Sequence, residues 1–266
     1  MTKTQYTSYS SAQVVPSYNP EWKPGKGANN DEWKNHKTIT INPSAEGRLP
    51  FANYKLLISA ITPRPIALVS TVSKDGVRNL APFSFFQMVN ANPPLFIVSL
   101  TQAMGVKNTA SNLFETESGT VSLPSEWMLE AMNYSSVNAP ADVDEWDLTG
   151  LTPAKSELVD APYVAESAFA FEFKVKQTVP LGYPNKQIST MFILEAINLH
   201  VRENVLDASG AEIDIAKLKP VSRLGGNLYG AVPYSMNVPI PQWNNEKESL
   251  EVASLVKKLP AALDIN

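Results

Sequence analysis

From Ile66 to Leu100 the chain is a succession of short β-branched, apolar runs separated by prolines and one tight-turn signal. No long helix can be threaded through it. Ile66-Ala67-Leu68-Val69-Ser70-Thr71-Val72 is entered through Thr62-Pro63-Arg64-Pro65 and closed by Ser73-Lys74-Asp75-Gly76. The prolines bias the entry away from the α region, and Asp-Gly is a hairpin signal. Val77 to Pro82 reads as the returning strand, and Leu95 to Leu100, entered through Asn92-Pro93-Pro94, as a third.

Beyond Leu100 the same reading continues. Lys107 to Glu117 has helical spacing and a glycine stop at Gly119, and Gly119 to Leu123 is a fourth short strand. Glu126 to Tyr134 is expected to be helical with Ser125 as N-cap. Ser136 to Pro162 is polar and dotted with prolines, so it is expected to be mostly loop, with Asp144 to Asp147 a solvated acidic segment. Ala168 to Lys176 puts Phe169, Phe171, Phe173 and Val175 on one face, and Met191 to Val201 is its expected partner. Val205 to Gly210 gives a turn, Leu218 to Tyr229 a Gly-rich closing segment, and Asn244 to Lys258 an amphipathic helix. Strands joined by tight turns, with only short helices between them, predict a mainly β, antiparallel barrel rather than a doubly wound sheet. The chain divides into an irregular extension over 1–45 whose aromatics dock on the body or on a partner subunit, a barrel domain over 46–235, and a tail over 236–266.

The residue inventory narrows the chemistry. With no cysteine among 266 residues there is no disulfide scaffold, thiol nucleophile or Cys-based metal site. His36 and His200 are the only histidines, too few for a His-rich metal site, and His200 reads as a satisfied strand residue. A net charge of −4 argues against a nucleic-acid or membrane-surface binder. The polar start of the chain and the lack of a long apolar run predict a cytoplasmic protein.

Three polar clusters could meet a ligand. Ser70 and Thr71 present two hydroxyls at a strand end, where solvation is the commoner role. In Asn79-Leu80-Ala81-Pro82-Phe83-Ser84-Phe85-Phe86, Pro82 interrupts pairing and frees main-chain groups for a ligand, unless the segment is a bulged core strand. Lys107-Asn108-Thr109 stands at a helix start, where unpaired N–H groups suit an anion such as phosphate.

The order and spacing of these pieces carry more than any one of them. Together with Pro94-Leu-Phe-Ile-Val-Ser99, Glu130-Ala-Met-Asn133, Gly150-Leu-Thr-Pro153 and Ser222-Arg-Leu-Gly-Gly-Asn-Leu-Tyr229 they resemble the flavin reductase-like family, over roughly Pro50 to Val232. The resemblance implies a six-stranded antiparallel Greek-key split barrel that binds FMN near the interface of a homodimer. It implies that Ser70 and Thr71 line the flavin and its ribityl chain. Asn79, Ala81, Phe83 and Ser84, with Leu80 and Pro82 between them, would meet the ring edge, largely through main-chain atoms. Lys107 and Thr109 would hold the phosphate, with Asn108 replacing the aspartate common there. Arg64 faces either the phosphate or dinucleotide or a surface carboxylate, and Tyr229 either stacks on a ring or joins the core. Arg223 stands where shorter reductases of the family have a histidine beside the nicotinamide. The implied activity is electron transfer from NAD(P)H through FMN to a small-molecule or protein acceptor. The alternative is a non-enzymatic FMN carrier or sensor on the same barrel.

Overall fold

The computed structural model describes residues 7–9, 12–101, 108–140 and 143–256. They form two compact units. One holds the residues up to Ala12 with Leu49–Pro233, and the other joins Gln13–Arg48 to the residues from Tyr234 onward.

The first unit is built on one antiparallel sheet of seven strands: β1 (Ala67–Val72), β2 (Arg78–Phe83), β3 (Phe86–Asn90), β4 (Leu95–Thr101), β5 (Ser118–Leu123), β6 (Phe169–Tyr183) and β7 (Lys186–Val201). Their spatial order is β2-β1-β5-β6-β7-β4-β3. β2 and β3 thus lie at opposite ends of the ladder, yet only Ser84 and Phe85 separate them in the chain. The sheet must therefore wrap until its ends meet at that corner, while the two end strands stay unbonded to each other. The seventh strand, one more than the six expected, is β3, which has four of its five residues exposed, Met88 and Val89 among them.

Strand alternation sorts the side chains into two layers. Ala67, Val69, Val98, Leu100, Val121, Phe171, Phe173, Phe192 and Leu194 fill the barrel interior, closed at one end by Ala110 and Leu113 of helix α2 (Asn108–Thr116). Each fully buried phenylalanine or leucine contributes about 1.5–3 kcal/mol. The Phe96 and Phe171 rings stack at 4.4 Å between centroids. On the outer face Leu68 and Leu80 pack with Met132 of α3 (Leu129–Tyr134), Trp146 of α4 (Glu145–Thr149), Leu151 and Val164.

Several local expectations change. The acidic segment is not a solvated loop: Asp144 caps α4 by accepting from Trp146 N at 2.9 Å, and Glu145 and Trp146 are buried. Ser125 caps nothing with its side chain and donates instead to Leu218 O at 2.6 Å. Pro82 does not interrupt pairing. It lies opposite Leu68 on an end strand, where its missing N–H takes no bond from the ladder. Helix α1 (Pro50–Ala60), with proline in its first turn, precedes the first strand. At Gly119 a Cβ would approach Ser70 O at 2.6 Å and the Phe173 ring at 2.8 Å, so only glycine fits between these strands.

In the second unit Gln13–Val15 pairs in parallel with Tyr234–Met236. Tyr18 and Tyr234 share a hydrogen bond of 2.9 Å, and Lys23 pairs with Glu251 at 2.8 Å. The expected tail helix is split into Trp243–Glu246 and Leu250–Val256, and its last expected residues lie outside the described ones. Among the described residues no helix is long and apolar enough to cross a membrane.

Candidate functional site

The three sequence clusters converge on β2 and its two ends. Thr71 and Asn79 are cross-strand partners facing α2. Asn79 Nδ2 donates to Thr109 Oγ1 at 2.8 Å, and Asn112 Nδ2 to Thr71 Oγ1 at 3.0 Å. All four are buried, so each bond is made where an unpaired amide or hydroxyl would cost about 1–3 kcal/mol. These two bonds fix the start of α2 against the barrel. Asn108 at that start is exposed, and Lys107 lies outside the described residues.

Ser70 does not share this site through its side chain. It points to the face opposite Thr71, is buried, and its Oγ has no partner among the described residues.

Pairing parity also redirects the main-chain contacts. In an antiparallel ladder, residues alternate between facing their partner strand and facing away. Leu80 N–H donates outward to Glu145 Oε2 at 3.2 Å. Leu80 and Pro82 therefore turn their main chain to the free edge of β2, while that of Asn79, Ala81 and Phe83 is committed to β1. The main chain that faces away from β1 is thus that of Leu80 and Pro82, where the sequence reading names chiefly Asn79, Ala81 and Phe83 for a ring edge. Phe83 packs its ring against the barrel core instead.

A cleft lies at each end of this edge. One, about 180 Å³, is lined by Ser73, Arg78, Asn79, Asn108, Ser111, Asn112 and Glu145. Burial pushes the Glu145 carboxyl above the usual carboxylate range, against the opposing bond from Leu80 N–H. Arg78 is held by Asp144 at 2.6 Å. The other cleft, about 210 Å³, is lined by Tyr54, Pro82, Phe83, Ser84, Asn133, Ser136, Arg223 and Tyr229. There Tyr229 is both platform and partner: its ring lies 4.4 Å from the Arg223 guanidinium, and its hydroxyl donates to Asn133 Oδ1 at 2.7 Å. Beside it an apolar groove of about 540 Å³ runs between α1 and the Phe85–Gln87 segment.

Arg64 is neither a surface ion pair nor turned to the α2 end. Its guanidinium is buried and donates to Ile58 O, to Ile61 O at 2.6 Å and to Leu224 O at 2.8 Å, with a long 3.4 Å contact to Ser84 Oγ. It ties the carbonyls at the end of α1 to the closing segment. Burial, offset by Tyr54 and then reinforced by the nearby Arg223 cation, holds its pKa below the usual arginine range.

Asn112, Glu145, Asn133 and Tyr54 were not singled out as site residues in the sequence. Asn112 had a signal, since three residues after Thr109 it shares a helix face with it. Tyr54 had none. His200 is satisfied within the sheet: its Nε2 bonds Glu172 Oε1 at 2.7 Å and its ring stacks on Tyr163 at 4.1 Å. Among the described residues no group of acidic and imidazole side chains could hold a metal ion.

An antiparallel sheet whose end strands meet at a two-residue corner without bonding to each other is a split barrel, and a free strand edge with a polar cleft at each end is its candidate binding site. The model of the flavin reductase-like domain matches residues 59–214, more than half of the chain. The chain belongs to the flavin reductase-like family. It is 36% identical over 213 residues to an uncharacterised protein of Halalkalibacterium halodurans, covering 79% of this chain and all of that one. Among solved structures it is similar to nitrilotriacetate monooxygenase component B from Bacillus cereus, with a TM-score of 0.72, 34% identity, and coverage of 76% of this chain and 100% of that one. It is also similar to flavoredoxin of Desulfovibrio vulgaris, with a TM-score of 0.55, 28% identity, and coverage of 70% and 93%.

Proposed function

We propose that the chain binds FMN along the free edge of β2 and is an oxidoreductase of flavin reductase type, taking electrons from NAD(P)H and passing them to an acceptor. The observation that carries this reading is the placement of β2, an end strand of the sheet about 17 Å long with the α2 cleft at one end and the Arg223 cleft at the other, its Leu80 N–H already held by Glu145.

The residues present fit the group. At one end the first-turn N–H groups of α2, with Asn108 and Ser111, would hold the phosphate. Along the edge, the carbonyl of Leu80 or that of Pro82 would accept from the ring's imide N–H. Bound FMN would supply the two-electron redox chemistry. The protein's part is to position it and shield it from water.

The same reading places the flavin near the interface of a homodimer. Leu57, Ile61 and Phe85 around the 540 Å³ groove are exposed apolar residues on one unit, the kind of patch that marks an interaction surface. The missing histidine also favours a second reading, a non-enzymatic FMN carrier. Purified protein should show flavin absorbance on FMN addition, and a colourless protein that binds none ends the proposal. Anaerobic mixing with NADH or NADPH separates the two readings: rapid bleaching belongs to the reductase and excludes the carrier.

A further inference from the structure

We propose that the cleft at Arg223 is an oxyanion site, taking the carboxylate or phosphate of the molecule that exchanges electrons with the flavin. The identity of that molecule as a redox partner rests on the function proposed above; the anion preference does not.

Two arginines meet here without an acid. Arg64 and Arg223 are bridge partners, with Arg64 N donating to Arg223 O at 3.0 Å and Arg223 N to Arg64 O at 2.9 Å. Neither forms an ion pair among the described residues, and no carboxylate lines the cleft. Arg64 has its charge solvated by the three carbonyls that hold it. Arg223 has one N–H on Gly226 O at 2.7 Å, and the Tyr229 ring steadies its plane. Its other donors stay available in a partly buried pocket with a second cation behind it. Like charges held this close repel, and an incoming anion relieves that repulsion while gaining charge-assisted bonds.

The remaining polar groups point the same way. Tyr229 occupies Asn133 Oδ1, which leaves the amide N–H₂ of Asn133 for a ligand. Ser84 Oγ accepts the long bond from Arg64, so its own proton is available to donate. The cleft thus offers guanidinium, amide and hydroxyl donors against no competing anion. At about 210 Å³ it holds a small anionic head and not a whole nucleotide. The flavin phosphate is placed at the other end of β2, so this anion belongs to a second molecule.

The test is calorimetric titration of the full chain, with and without added FMN, using benzoate and its uncharged isostere benzamide. Benzoate should bind about tenfold or more tighter. Arg223→Gln should abolish that difference, and Arg223→Lys should retain part of it. Equal binding of the two probes by the unaltered protein overturns the proposal, as does a benzoate preference that Arg223→Gln leaves intact. Displacement of benzoate by NADPH but not NADH identifies the 2′-phosphate as the anion, and displacement by both identifies the pyrophosphate they share. Preference for benzoate without such displacement identifies an acceptor carboxylate; either supports the site. If FMN fails to bind, the oxidoreductase reading falls while the benzoate comparison still decides this one.

Discussion

Glu172 is a fully buried carboxylate in a β-sheet, and its surroundings explain why the sheet tolerates it. Burial alone would raise its pKa. Four donors outweigh that: Glu157 N at 2.9 Å, Leu158 N at 2.6 Å, Asn198 Nδ2 at 3.0 Å and His200 Nε2 at 2.7 Å, which together lower it from 4.5 to about 2. A carboxylate with a depressed folded-state pKa stabilises the fold above its unfolded value and loses that contribution as pH falls through the folded value. Glu172 should therefore support stability fully above about pH 4.5 and progressively less toward pH 2. Chemical denaturation across that window should show stability falling with acid in the native chain. Glu172→Gln should cost about 2 kcal/mol at neutral pH, because its amide N–H₂ would face another donor. It should also flatten the acid slope. An unchanged slope in the variant would assign the acid sensitivity elsewhere.

At the scale of elements, the link between β2 and α2 decides whether the α2 cleft exists. Asn79→Ala removes the donor to Thr109 Oγ1 and leaves the start of α2 held only by the Asn112–Thr71 bond. It should cost about 1–2 kcal/mol in stability and weaken FMN binding about tenfold, read by fluorescence titration. Undiminished FMN affinity would place the phosphate away from α2. Most strands were legible in the sequence because their signals are local: proline entries, the Asp75-Gly76 turn and the Phe169 to Val175 alternation. β3 was not, because Phe86-Gln87-Met88-Val89-Asn90 does not alternate cleanly and leaves Met88 and Val89 exposed, and its place at the far end of the sheet depends on the wrap. The three ligand clusters were legible as pieces. Which atoms they present was not, since the outward turn of Leu80 and Pro82 follows from register against β1, and Ser70 and Thr71 part company only once the strand has two faces. Arg64 shows the same limit: its flanking prolines suggest display, while its partners come from a helix end and a segment about 160 residues away.

At the scale of the whole molecule, both units carry apolar surface that a lone chain leaves in water. On the barrel unit it surrounds the α1 groove, and Leu57→Glu should shift a dimeric protein toward monomer in light scattering if that face is the homodimer contact. The second unit raises a different question. None of its described residues is buried, while Trp33, Ile39, Val238, Ile240, Trp243 and Leu250 are each more than 60% exposed. A chain that buries so little apolar surface on its own cannot offset the conformational entropy of ordering itself, about 1–2 kcal/mol per residue. Folding stability should therefore reside in Leu49–Pro233, with the second unit opening first. Brief proteolysis of the full chain should cut within 13–48 and after 234, leaving a fragment close to 49–233 by mass that keeps its β-type circular dichroism. Early cuts inside β1 to β7, with the terminal segments intact, would mean that the second unit is the more stable body. In that case its exposed aromatics are already covered by a partner.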